Sequence, residues 1–239
     1  MSGHSKWATT HRQKAVVDAK RGAVFTKLGN LITVAARKGG DLSANPTLRA
    51  AVDRAREASM PKDNIARAIK KGTGELSGGQ VEELYYEGIV PPGVQVMVKC
   101  LTDNKNRSGS TVRHSFSKAG GSFSSVAWNF SQLGVIRIGA DELKAKKVDS
   151  ESLELGLIDE GASDFTREEE GVTVYSEIQD WQRVKDFLSS LGLAFESAEI
   201  EYVAKEKMDM PSIEQDKLDK FFDELEDNED VCDYYTNLK

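Results

Sequence analysis

Near residue 80 the spacing of apolar residues changes character, and no single layer of structure can absorb the change. Before that point Val24, Phe25, Leu28, Leu31, Ile32 and Ala35 recur at steps of three and four. So do Leu48, Ala51, Val52 and Ala55, and then Ile65, Ala68 and Ile69. A step of three and four puts one apolar stripe on an α-helix. Beyond residue 80, Val94, Val96, Val98 and Cys100 alternate with their neighbours, as do Ala198, Ile200, Tyr202 and Ala204. A step of two puts side chains on one face of a strand. The chain therefore divides into a helical first third and a sheet-forming remainder.

The punctuation supports that division. A long helix runs from about Val16 to Lys38 and stops at Gly39-Gly40, a C-terminal stop signal. Asn45-Pro46 supplies an N-cap and a first-turn proline for a second helix, which Met60-Pro61 ends. A third, short helix ends at Gly72, and Leu76 to Gln80 reads as a linker. Strands over Glu83–Val90 and Val94–Thr102 flank the turn Pro91-Pro92-Gly93. Thr102 to Ser110 reads as a polar loop leading into a helix with Val112, Phe116 and Ala119. Ser125 to Ile138 reads as strand, broken near Gly134. Helix, strand, strand, helix and strand follow up to Ala204, the β-α-β-β-α-β order of the split, ferredoxin-like arrangement. A last helix opening at Pro211 carries Leu218, Phe221, Phe222 and Leu225 on one face, and a strand over Val231–Leu238 follows it. Nothing local covers that face, so this segment is expected to return to the strands at 83–102. The expected fold is α+β. An N-terminal three-helix domain with a basic arm (1–77) precedes two ferredoxin-like α+β domains, one discontinuous (78–130 plus 205–239) and one inserted (131–204).

Charge follows the same boundary. Met1 to Gly72 holds 15 basic and 5 acidic residues, a net of +10. The whole chain is −7, so the remainder carries −17. A cationic segment joined to an anionic body points to a polyanionic partner for the segment. Each Lys or Arg meeting a phosphate releases counterions, so nucleic acid is the leading expectation. The candidate contacts are Lys6, Trp7, Arg12 and Lys14 of the arm, then Lys20, Arg21, Lys27, Arg37 and Lys38 of the first helix. Lys62, Arg67, Lys70 and Lys71 of the third helix complete the set. Trp7 offers a ring on which an unpaired base could stack. For any one of these lysines, a solvated surface position is the plainer reading; the argument rests on the segment as a whole.

Other chemistry finds little footing. His4, His11 and His114 have no Ser, Cys or Asp partner at a recognisable spacing. Two cysteines and three histidines lie at no metal-ligand spacing, so no metal, cofactor or catalytic residue is nominated. The Thr102–Ser110 stretch lacks the lysine spacing of a phosphate-binding loop, and a structural turn is the better reading. Cys100 and Cys232 sit in strand-like contexts and are expected to be reduced, buried thiols. No long apolar run suits a membrane span, and a cytoplasmic, non-enzymatic protein is expected.

Several short motifs together resemble the YebC family. They are Gly3-His4-Ser5-Lys6-Trp7, Asp18-Ala19-Lys20-Arg21-Gly22, Phe25-Thr26-Lys27, Val34-Ala35-Ala36-Arg37 and Asn45-Pro46. Met60-Pro61-Lys62-Asp63-Asn64-Ile65, Tyr86-Glu87-Gly88 and Thr102-Asp103-Asn104 extend the match. The resemblance implies a helical domain and two α+β domains around a cleft. It also implies DNA-binding transcriptional regulation, the usual description of bacterial members. Mitochondrial relatives act as translational activators of a cytochrome oxidase subunit, and bacterial ones have been linked to the ribosome and proline-rich nascent chains. Two departures stand out. Thr10 precedes His11-Arg12 where the family more often has Lys, and Ser108 follows Asn106-Arg107 where relatives usually have Thr. The first removes one arm contact; the second keeps a hydroxyl. The expected partner is therefore nucleic acid, as DNA or as rRNA on the ribosome, with no membrane. A third reading, a small-molecule sensor or enzyme using the cleft, has no residue to support it.

Overall fold

A computed structural model describes residues 21–76, 80–146, 149–209 and 215–239. These fall into two compact units, one spanning 1–127 with 206–239 and the other 128–205.

The first unit begins with the bundle: α1 (Arg21–Ala36), α2 (Pro46–Glu57) and α3 (Lys62–Thr73). Ile32, Leu48, Val52, Ala55 and Ile65 meet in its core. Asn45 ties two helices together. Its Oδ1 accepts from the Leu48 amide at 3.0 Å, which caps α2, while Nδ2 donates to the carbonyls of Ala35 (2.9 Å) and Gly39 (2.8 Å). One buried side chain thus serves the open ends of α1 and α2. α1 and α3 approach closely at Gly72, where an added Cβ would lie 2.3 Å from the Thr33 carbonyl oxygen.

The rest of this unit is a four-stranded antiparallel sheet. β1 (Glu82–Val90) and β2 (Val94–Thr102) form a hairpin, β3 (Ser122–Phe123) borders β1, and β8 (Val231–Thr236) returns from the C-terminus to pair with β2. The order is β3-β1-β2-β8. α4 (Lys105–Lys118) and α8 (Gln215–Asp227) cover one face. Leu218, Phe221, Phe222 and Leu225 of α8 are all buried there, with Phe116 edge-on to Phe221 and Phe222 stacked on Tyr234. The discontinuous sheet domain is therefore closed by the last thirty-odd residues.

The second unit contains β4 (Phe130–Gly139), α5 (Ala140–Lys146), α6 (Ser150–Asp159), β5 (Ala162–Glu168), β6 (Gly171–Ser176), α7 (Trp181–Ser190) and β7 (Ser197–Ala204). Its strand order, β5-β6-β4-β7, is that of the split β-α-β arrangement. The helices cover one face over a core of Ile136, Ile138, Leu153, Leu157, Val174, Val184 and Leu188. Arg137 of β4 and Glu201 of β7 form a buried two-pronged ion pair, at 2.6 and 2.9 Å. Both sheets are four-stranded and antiparallel, yet only this one has the split order; the other starts from a hairpin.

Two local expectations change. Thr102–Ser110 is not a loop throughout, because the Asn104 side chain caps the Arg107 amide at 3.0 Å and α4 starts at Lys105. The strand expected from Ser125 starts at Phe130, after a 3-10 turn over Ala127–Asn129, and runs unbroken through Gly134. Gly134 interrupts the apolar pattern without breaking the strand, because the Trp181 ring fills the space a side chain would take.

Candidate nucleic-acid interface

The bundle sorts its cations by position. On α3, Ile65 and Ala68 face the core, whereas Lys62, Arg67 and Lys70 are exposed on the opposite arc with Asp63 and Ala66. Lys38 is exposed just beyond the end of α1. Among the described residues these four cations make no side-chain hydrogen bond or ion pair. Asp63 in the first turn of α3 and Lys70 and Lys71 in its last both suit the helix dipole. Pro61 precedes α3 without a side-chain cap.

Three other predicted cations are engaged at the joint between the bundle and the first sheet, although Arg37 itself stays exposed. The Lys27 ammonium donates to the Glu226 carbonyl at the end of α8. Burial pushes the Lys27 pKa down, against the opposing pull of Cys232, Glu226, Asp227 and Asp233. The Arg37 guanidinium donates to the Val81 carbonyl at the start of the first sheet. Lys71 lies 3.8 Å from Asp103. Asn30, which sequence reasoning missed, donates to the Leu101 carbonyl at 3.0 Å from the middle of α1. The joint is thus largely polar, between two separate apolar cores.

Arg21 opens the described part of α1. The predicted arm contacts Lys6, Trp7, Arg12 and Lys14, and Lys20 after them, lie outside the described residues. Of the remaining bundle cations, Arg49 donates to the carbonyls of Leu42 and Ser43, Arg56 pairs with Asp53, and Arg54 is also engaged. The described face available to an anion therefore comprises Lys38, Lys62, Arg67 and Lys70.

The stretch after β2 is a braced turn. Arg107 grips the buried Asp230 carboxylate through two nitrogens, at 2.8 and 3.1 Å, and this charge pairing raises its pKa. The Thr102 hydroxyl accepts from the Asn104 amide at 3.0 Å. Nearby, burial pushes the Cys100 thiol up to about 12, so it is inert at neutral pH; Cys232 is in no disulfide and, against the expected burial, is only half-buried, because it lies on the last strand, at the edge of the sheet. No group of three or more His, Cys, Asp and Glu among the described residues could hold a metal ion. No described helix is long and apolar enough to cross a membrane.

This arrangement has close relatives. Residues 5–75 match the model of the TACO1/YebC protein N-terminal domain, and residues 81–238 match that of the TACO1/YebC second and third domain. The chain is 44% identical to a probable transcriptional regulatory protein of Desulforapulum autotrophicum, over 99% of this chain and 96% of that protein. It is 45% identical to one of Geobacter sulfurreducens, over 100% and 96%. A conserved hypothetical protein of Aquifex aeolicus, solved by crystallography, shares 40% identity and superposes with a TM-score of 0.79 over 94% of this chain and 93% of its own. From its basic helical bundle to the C-terminal strand that closes the first sheet, this chain belongs to the TACO1/YebC family.

Proposed function

We propose that this protein is a nucleic-acid-binding regulator of gene expression that grips phosphates with its helical bundle. The observation that carries the reading is the exposed face of Lys38, Lys62, Arg67 and Lys70, left without anionic partners among the described residues. Relatives named as transcriptional regulators support DNA as the first target. The net +10 of residues 1–72 supplies long-range attraction, and the −17 of the remainder keeps the rest of the molecule off the phosphates.

That same −17 favours a second reading, a translation factor bound to RNA on the ribosome. A long duplex repels an anionic body, whereas a recessed RNA site can admit the bundle alone.

The test is retention on duplex DNA against sedimentation with ribosomes, each across a salt series. The triple variant Lys62→Glu, Arg67→Glu, Lys70→Glu should lose affinity for the true target. Its salt dependence should flatten by about one unit of slope per lost contact. Unchanged affinity and slope for both targets would refute the bundle as the binding unit.

A further inference from the structure

The helix α6 carries apolar side chains on two opposite faces. Leu153 and Leu157 are buried against the sheet. Leu155 and Ile158 point the other way and are 65% and 59% exposed. At about 100° per residue, one outer arc running from Glu154 to Asp159 holds Ile158 and Leu155, with the backbone position of Glu151 between them one turn earlier. An apolar pair is thus framed by a carboxylate on each side, and Glu154 and Asp159 are both exposed. The unit that holds them, residues 128–205, has 17 acidic and 8 basic residues, a net of −9.

We infer that this face of α6 is a docking site for a basic amphipathic segment of a partner protein. Apolar side chains of the segment would cover Leu155 and Ile158 while its Lys or Arg residues meet Glu154 and Asp159. The charge excludes the other occupants. Nucleic acid and anionic membranes are repelled by a −9 unit whose apolar pair is ringed by carboxylates. A symmetric contact between two copies of α6 would set those carboxylates against each other. The cationic face of α3 on a second copy offers only Ala66 between Lys62, Arg67 and Lys70, too little apolar surface to cover a leucine and an isoleucine. The inference does not depend on the bundle binding nucleic acid.

The probe is a short fluorescein-labelled peptide of leucine and lysine with helical amphipathic spacing, titrated with the full chain. A counterpart with glutamate for lysine and a short single-stranded RNA serve as controls. The lysine peptide should bind saturably, and the glutamate peptide should not. Leu155→Ser with Ile158→Ser should weaken binding about tenfold or more, since both side chains leave the contact. Glu154→Lys with Asp159→Lys should weaken it too, and more at low salt than at high. Both pairs are exposed, so the circular-dichroism melting curve should stay in place. An unchanged affinity in the serine variant would overturn the proposal. So would displacement of the peptide by the RNA, or a serine variant that changes self-association in sedimentation while peptide binding holds.

Discussion

The two sheets are both four-stranded and antiparallel with helices on one face, yet the chain closes them in opposite ways. The first takes β1, β2 and β3 from one stretch and β8 from the far end of the sequence, and seals the join with an aromatic cluster. The second is made from one continuous stretch and places an ion pair, Arg137–Glu201, in its buried zone. The difference separates two sources of stability. One unit depends on a distant segment returning; the other depends on a local charge staying paired.

The severest break is to remove the returning segment. Truncation after Asp209 deletes α8 and β8 and exposes the face that Leu218, Phe221, Phe222 and Leu225 cover. Burying those four side chains contributes on the order of 6–10 kcal/mol before entropy. The first sheet should unfold while residues 128–205 keep a cooperative transition, as read by hydrogen exchange region by region. Equal protection of both sheets in the truncated chain would abolish the distinction.

Glu201→Ala tests the other side. It leaves the Arg137 guanidinium buried without its carboxylate and should cost about 3–5 kcal/mol, confined to the second unit. The double change Arg137→Met with Glu201→Leu should recover most of that loss, because two apolar side chains need no partner. Chemical denaturation followed by Trp181 fluorescence measures both.

Within the first unit, Asn45→Ala should cost about 1–3 kcal/mol. It removes a helix cap and two hydrogen bonds to the end of α1. The bundle resonances should report it, with the second unit untouched. Cys100 separates the units by pH. Its thiol stays neutral in the fold up to about 12, against an ordinary value of 9.0. An unfolded chain loses that proton first, so this group's contribution to the first unit is full below pH about 9 and erodes as pH rises towards 12. Cys100→Ala should reduce that alkaline slope in a pH series of melts.

The smallest effect on stability belongs to the cationic face. Lys62→Glu, Arg67→Glu and Lys70→Glu together should each shift stability by about 0.5 kcal/mol or less, since none has an ion-pair partner among the described residues. Their effect should appear in binding instead. A large loss of melting temperature would mean that the face is structural.

The sequence by itself determined the elements and their class. Periodicity is a local property, and α1 to α3, the hairpin of β1 and β2, and the succession of helices and strands in the second unit all follow from it. The return of α8 was legible for a related reason: four apolar residues on one helical face require a cover, and none lay nearby in the chain. The α6 face was open to the same reasoning, because Leu155 and Ile158 fall on the side of a ten-residue helix away from Leu153 and Leu157. A strand start hidden behind a 3-10 turn, and an N-cap inside a polar stretch, depend on single side-chain hydrogen bonds that no period records.

Only the tertiary structure decided which cations face outward. Lys27 and Lys38 belong to the same basic stretch and carry the same formal charge. Lys27 meets a carbonyl 199 residues further along the chain, whereas Lys38 meets none among the described residues. The same holds for Lys71, near Asp103, against Lys70 beside it. Net charge is additive along a sequence, and so the polarity of the bundle could be counted in advance. The free or engaged state of each lysine depends on which distant oxygen folding brings within hydrogen-bond reach, and that is a property of three-dimensional packing alone.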